Sequence, residues 1–172
     1  MKIGDAEWLE GLRNAVAPRC DTPPLAVGLL WAVGLESAIN KWALRRASNA
    51  AAFDSGDVGL QHSGLRGMPD ASGLATHVAL AVTNTAVRAF EPNHEMSMLG
   101  RVKPPTVKKD LGGWERAGLT VSVGAPSTAR LMGHKVEGRP VTLEVPATGE
   151  RHELTIGVSL ADDQFLAVLT QG

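Results

Sequence analysis

From residue 78 onward the apolar residues fall on every second position, and that period of two limits what the chain can fold into. Val78, Leu80 and Val82, then Leu119, Val121 and Val123, then Val141, Leu143 and Val145, then Leu154, Ile156, Val158 and Leu160 follow this pattern. Thr120, Ser122, Thr142, Glu144, Glu153, Thr155 and Ser159 lie between them. Strands with one apolar and one polar face belong to antiparallel sheets with one side in water. Turn-forming residues separate the runs: Thr83-Asn84-Thr85, Gly112-Gly113, Gly124-Ala125-Pro126, Glu137-Gly138 and Ala147-Thr148-Gly149. A meander is the economical arrangement. The chain then closes with a short helix, because Ser159 to Asp162 fits a capping box and Phe165, Leu166 and Leu169 share one face.

The preceding residues have a different period. Residues 5–17 suit an amphipathic helix capped by Asp5, with Trp8, Leu9, Leu12 and Val16 on one face and Pro18 ending it. A second helix is expected at about 24–46, since Asp21-Thr22 precede Pro23-Pro24 and proline is welcome in a first helical turn. Its first half, Leu25 to Leu35, is apolar all round. Its second half turns Leu35, Ile39 and Trp42 inward and Glu36, Asn40, Lys41 and Arg45 outward. Crossing a bilayer takes about 20 apolar residues, and Glu36, Asn40 and Lys41 interrupt the run too early. Burial against the sheet is the first reading of this helix. Lying in a membrane interface, with Trp31 and Trp42 at headgroup depth, is the second. Residues 55–76 hold five glycines and one proline in 22 positions and read as a linker or loop. The chain thus divides into a helical segment over 1–54, a Gly-rich connection over 55–76 and an antiparallel β domain over 77–172. The fold class is α+β: an N-terminal helical segment, then an antiparallel barrel or sandwich with a C-terminal helix.

A length of 172 residues suits one compact domain. Seventeen Lys and Arg against 18 Asp and Glu leave a net charge of -1, so no global field exists to hold a polyanion and nucleic acid is not an expected partner. Cys20 is the single cysteine and cannot close a bridge within the chain. Asp5, Glu7 and Glu10 occupy the place where a secretory signal needs positive charge. Both features point to a reducing cytoplasm, with the membrane surface as a peripheral location. The 23 Ala, 19 Gly and 11 Arg against 6 Lys, 3 Ile and no Tyr reflect GC-rich coding, as in many bacteria.

Catalytic patterns are scarce. His94-Glu95 and His152-Glu153 are adjacent pairs, but neighbours on a strand face opposite ways, so neither pair supplies two legs of a metal site. Cys20 sits before the expected second helix, where a helix dipole lowers a thiol pKa, while Asp21 opposes it. No nucleophile elbow, phosphate-cradling loop or dinucleotide fingerprint occurs. No catalytic residue, metal or cofactor is expected. His152 reads as a hydrogen-bonded histidine at a strand rim, and Trp114 as an anchor under a long loop.

Charge is unevenly distributed. From 88 to 139 the cations Arg88, Arg101, Lys103, Lys108, Lys109, Arg116, Arg130, Lys135 and Arg139 face five acids, Glu91, Glu95, Asp110, Glu115 and Glu137, a local net of +4. Over 140–172 Arg151 faces Glu144, Glu150, Glu153, Asp162 and Asp163, a net of −4. If the stretches 88–110 and 124–140 meet at one rim, they form a basic mouth for an anionic headgroup or an acidic protein. Its residues would be Arg88, Arg101, Lys103, Lys108, Lys109, Lys135 and Arg139, with prolines 104 and 105 stiffening the presentation.

The stretch His77 to Phe90, a strand, a Thr83-Asn84 turn and a second strand carrying Arg88, resembles the opening hairpin of bacterial pleckstrin-homology-like domains. Strands at 141–145 and 152–158 followed by a helix of about ten residues are similar to that family's last hairpin and barrel-plugging helix, so the resemblance spans roughly 77–170. It implies a binding module for lipids, peptides or sister subunits, not an enzyme. The expected function is therefore a non-enzymatic bacterial module that recognises an anionic membrane surface or a protein partner. Two further readings stand beside it. One is a small enzyme with His94, His134 or Cys20 between the helical segment and the β domain. The other is a homo-oligomer assembled through helix 24–46.

Overall fold

The structure, a computed structural model, describes residues 5–32, 77–93, 103–131 and 134–171, for 129–131 and 134–136 in backbone only. Helix α1 (Ala6–Val16) is followed by β1 (Ala26–Ala32), β2 (His77–Val82), β3 (Ala86–Asn93), β4 (Thr106–Glu115), β5 (Thr120–Val123), β6 (Ser127–Leu131), β7 (His134–Val145), β8 (Glu150–Ile156) and helix α2 (Leu160–Thr170). The eight described strands form one antiparallel sheet in the order β4-β3-β2-β1-β8-β7-β5, with β6 beside β7 off this path. The sheet is not closed; β4 and β5 are its ends.

Both expected terminal helices form where their caps stand. Asp5 accepts a hydrogen bond from the Trp8 amide at 2.8 Å, and Trp8, Leu9, Leu12 and Val16 are buried. Ser159 accepts from the Asp162 amide at 3.2 Å, with Phe165, Leu166 and Leu169 buried. The two helices cover opposite faces of the sheet. Val78, Leu80 and Val82 of β2 join Leu30, Leu143, Leu154, Ile156 and the buried residues of α2 in one core. The alternate residues Ala79 and Ala81 join Val27, Phe90 and the buried face of α1 in the other. Small alanines on that side let α1 approach the backbone.

The apolar run that suggested a helix over 24–46 is a strand in its described part. β1 lies in the middle of the sheet, pairing with β2 from Ala26↔Val82 to Trp31↔His77 and with β8 from Leu30↔Ile156 to Ala32↔Leu154. Covered on both faces, it has no polar side and so no alternation to betray it. Pro23-Pro24 lead into the strand, and the Leu25 amide bonds the Val82 carbonyl at 2.7 Å. Cys20 accordingly precedes a strand and has no helix N-terminus beside it. Leu30, within the stretch expected to assemble copies of the chain as a helix, is fully buried in this chain's own core. At Gly28 an added Cβ would lie 2.5 Å from the Phe165 ring, so only glycine lets α2 sit down here. The rest of helix 24–46, the Gly-rich 55–76 stretch, and His94, Glu95 and Arg101 lie outside the described residues.

Two expected turns are strand interior. Gly112-Gly113 belong to β4, where Gly112 has φ +112° beside a bulge that leaves Leu111 without an opposite residue on β3. Glu137-Gly138 belong to β7. The alternation past Ile156 does not continue the strand either: Val158 is exposed, and Leu160, 75% exposed, opens α2.

The sheet is curled. β4 and β8 are separated in the strand order by β3, β2 and β1, a span of roughly 19 Å if flat. Yet the ring centroids of Trp114 on β4 and His152 on β8 are 4.9 Å apart. Arg116 fastens the same region to α2, its guanidinium donating to the carbonyls of Val168, in the last turn of that helix, and of Thr83. A cation at a helix C-terminus also meets its dipole favourably.

Candidate functional site

The basic residues do not gather into one mouth. Arg88 on β3 and Lys108 and Lys109 on β4 lie at one end of the strand order. Lys135 and Arg139 lie on β7, and Lys103 precedes β4. Arg88, Lys108 and Arg139 each meet a carboxylate within the molecule. Arg88 meets Asp110 at 2.8 Å, Lys108 meets Glu91 at 2.7 Å and Arg139 meets Asp163 on α2 at 2.8 Å. These pairs differ in kind. Arg88–Asp110 is a surface pair, with 30% and 39% of the two side chains exposed, and such pairs contribute about 0–1 kcal/mol. Glu91 is almost wholly buried, 9% exposed, while its partner Lys108 is 61% exposed. A buried carboxylate needs its cation, so Lys108 is engaged in the fold before it is offered to any ligand.

β4 owes its exposure to its place as an edge strand and to its bulges. Register slips between Ala89 and Phe90 and between Glu91 and Pro92 twist it, and Leu111 is its buried anchor. Lys108 and Lys109 are exposed along its opening half, and Lys103 is exposed just ahead of it. Lysines on an edge also keep it from pairing with other chains.

A second polar group lies where β4 folds over β8. His152 is fully buried; its Nε2 is 2.8 Å from Glu150 Oε1, and the Trp114 indole donates to the same oxygen at 3.4 Å. The arrangement is a clamp across the seam of the curled sheet, with the imidazole out of reach of solvent. Sequence reasoning placed His152 on a rim with a hydrogen bond; the bond is there, and the ring is covered by Trp114.

Cys20 is half-buried and free. Burial pushes its thiol pKa up; the Arg88 guanidinium pulls it down, and Asp21 and Asp110 add to the rise. A raised thiol pKa leaves little thiolate at neutral pH, the opposite of an activated nucleophile. Among the described residues no group of three His, Cys, Asp or Glu could hold a metal ion. An open groove of about 300 Å³ runs between α1, the start of β1 and α2, floored by Leu9, Val27 and Phe165 and edged by Arg13, Leu25 and Gln164. Arg13 donates to the Pro24 carbonyl at 2.9 Å, tying α1 to the approach to β1.

Two residues outside the expected site acquire roles from position. Arg116 ties α2 to the β2–β3 turn, as above. Arg130 on β6 stands directly opposite Lys135 on β7. Only the pairing of β6 with β7 brings these two cations together, and the sequence signal, a turn expected at Glu137-Gly138, pointed elsewhere.

The chain matches no known protein family, no curated protein and no solved structure. Among the described residues no helix is long and apolar enough to cross a membrane.

Proposed function

We propose that the protein is a non-catalytic binding module for an anionic membrane surface, built on a pleckstrin-homology-like plan. The observation that carries the functional reading is the series of exposed lysines at the edge of the sheet, Lys103 just ahead of β4 and Lys108 and Lys109 on it. Two features favour the fold analogy: the curl that brings Trp114 onto His152, and the C-terminal helix seated against one face of the sheet. Surface ion pairs such as Arg88–Asp110 are weak enough to exchange a carboxylate for a lipid phosphate at little cost. Lys108 is the exception, held by Glu91. Lys103 and Lys109, both exposed, are the residues to change.

The test is co-sedimentation with vesicles of phosphatidylcholine alone and of phosphatidylcholine mixed with phosphatidylglycerol. It is run at about 10 mM and about 150 mM salt, where the screening length falls from roughly 30 Å to roughly 8 Å. Binding to the anionic vesicles alone, weakened by salt and by Lys103→Glu with Lys109→Glu, is the expected result. No binding to anionic vesicles at low salt overturns the membrane reading and directs the search to an acidic protein partner.

A further inference from the structure

Helix α1 and the lead into β4 meet at a close contact. Gly11 stands in the middle of α1, where glycine is a poor helix former. An added Cβ there would lie 3.1 Å from Pro105 Cδ, so the glycine makes room for the proline. Pro105 is buried, and Val107, two residues on, packs against the core under α1. Lys103, exposed two residues ahead of Pro105, therefore leaves the fold from an anchored point.

The same junction brings in a cation that lies outside the basic stretch of 88–139. A 3-10 turn, Ala17–Arg19, continues α1, and the exposed Arg19 donates to the Val107 carbonyl at 3.5 Å across 88 residues of sequence. Lys108 and Lys109 follow Val107 within about 7 Å of strand. Acids are interspersed: Glu91 is paired with Lys108, Asp110 with Arg88, and Asp21 lies two residues beyond Arg19. Arg19 differs from Arg88 and Lys108 in its partner. A neutral carbonyl holds its guanidinium in place and leaves the charge uncancelled. A cation already held in position gives up less freedom when it binds.

The shape of the junction limits what can meet it. Trp114 and His152 approach each other on the face that carries the α2 core, since Leu154 and Ile156, at steps of two from His152, belong to that core. The sheet thus curls around α2, and α1 lies on the convex side. Sites for small molecules are concave and enclose what they bind. Exposed cations along a convex ridge suit a broad anionic surface instead, where each basic side chain near the headgroups contributes on its own.

We infer that the junction of α1 with β4 is the part of the molecule that meets an anionic membrane, with Arg19 a headgroup-binding residue beside Lys103, Lys108 and Lys109. This rests on the membrane reading above and adds to it a second element, α1, and a residue far from the lysines in sequence.

The experiment uses the full chain, the same two vesicle types and about 10 mM salt. Arg19→Ala is expected to weaken binding to the phosphatidylglycerol vesicles by about fivefold, and Arg19→Lys, which keeps the charge, to restore it to within about twofold. A second readout needs no substitution. Cys20, next to Arg19, is half-buried and within electrostatic reach of Arg88 and Asp110, so it reports on the junction itself. Its alkylation by iodoacetamide should slow by about twofold or more with the anionic vesicles and stay unchanged with neutral ones, because a negative surface both covers the thiol and disfavours its thiolate. Parent protein that binds while Arg19→Ala binds equally, while Arg19→Lys is as weak as Arg19→Ala, or while Cys20 is alkylated at its free rate, overturns the junction and leaves the membrane reading standing. Parent protein that binds no anionic vesicles overturns both and leaves an acidic protein as the partner to seek.

Discussion

β1 and β4 are strands of one sheet, and they obey opposite constraints. β1 is central: Leu30 faces the α2 core, Val27 faces the α1 core, and Gly28 gives up its side chain to the Phe165 ring. β4 is an edge: among the described strands its backbone pairs on one side only, two register slips bend it, and of its ten residues Leu111 alone is buried. A central strand is specified by volume, because everything around it is already placed. Its edge counterpart is specified by charge and by bulges, because water supplies much of what surrounds it. Any function that rests on exchanging partners belongs to the second kind of strand, where contacts are weak enough to be replaced.

The largest effect that separates the two comes from Leu30→Ala. Deleting a fully buried leucine side chain costs about 2–5 kcal/mol, as lost transfer energy and as a cavity between packed elements. Urea unfolding followed by circular dichroism should show a midpoint lowered accordingly. A loss under about 1 kcal/mol would mean that β1 is not the packed centre described here. On the edge, Lys108→Ala should cost about 1–2 kcal/mol, because Glu91 is left buried without its cation. Lys108→Arg, which keeps a cation beside Glu91, should stay within about 0.5 kcal/mol. Equal effects of the two changes at 108 would show that the charge beside Glu91 has no special standing.

The same contrast decides what the sequence could tell. β2, β5, the C-terminal half of β7, and β8 as far as Ile156 show their period of two. On β5 the alternate residues Thr120 and Ser122 are exposed, and on β2 they are the small Ala79 and Ala81 under α1, so the apolar step of two survives. β1 loses it for the reason that makes β1 central: with Val27 and Leu29 on one side and Leu30 on the other all apolar, seven residues of strand look like two turns of buried helix. β4 loses it for the opposite reason. Each bulge adds a residue and flips the phase, so Leu111 and the lysines follow no fixed step, and Gly112-Gly113 imitate a turn. The excess of cations from 88 to 139 was countable without a structure, yet its meaning was not. Arg88 and Asp110 are 22 residues apart, and only the register of β3 on β4 makes them partners. The pairing of β6 with β7 was hidden in the same way, since nothing local in Arg130 or Lys135 announces that the two stand opposite each other.

The smallest effect lies where the α1 side of the molecule meets that edge. Cys20 feels both ends of the Arg88–Asp110 pair, and burial raises its thiol pKa. In the folded protein the thiol therefore holds its proton to higher pH than in the unfolded chain. As pH rises above about 8.5 the unfolded state loses its proton first, so the folded state binds more protons and stability falls with pH through this range; below it Cys20 contributes no slope. Iodoacetamide should then label the native thiol more slowly than the denatured one at about pH 8.5, in proportion to the thiolate present. Arg88→Ala removes the only attraction lowering the pKa and should slow labelling further, while Asp110→Asn should quicken it. Opposite responses to these two changes would mean that the edge ion pair reaches the thiol electrostatically from β3 and β4. Identical rates in all three proteins would confine the pair's influence to solvent and leave the shift to burial, with Asp21 adding to it.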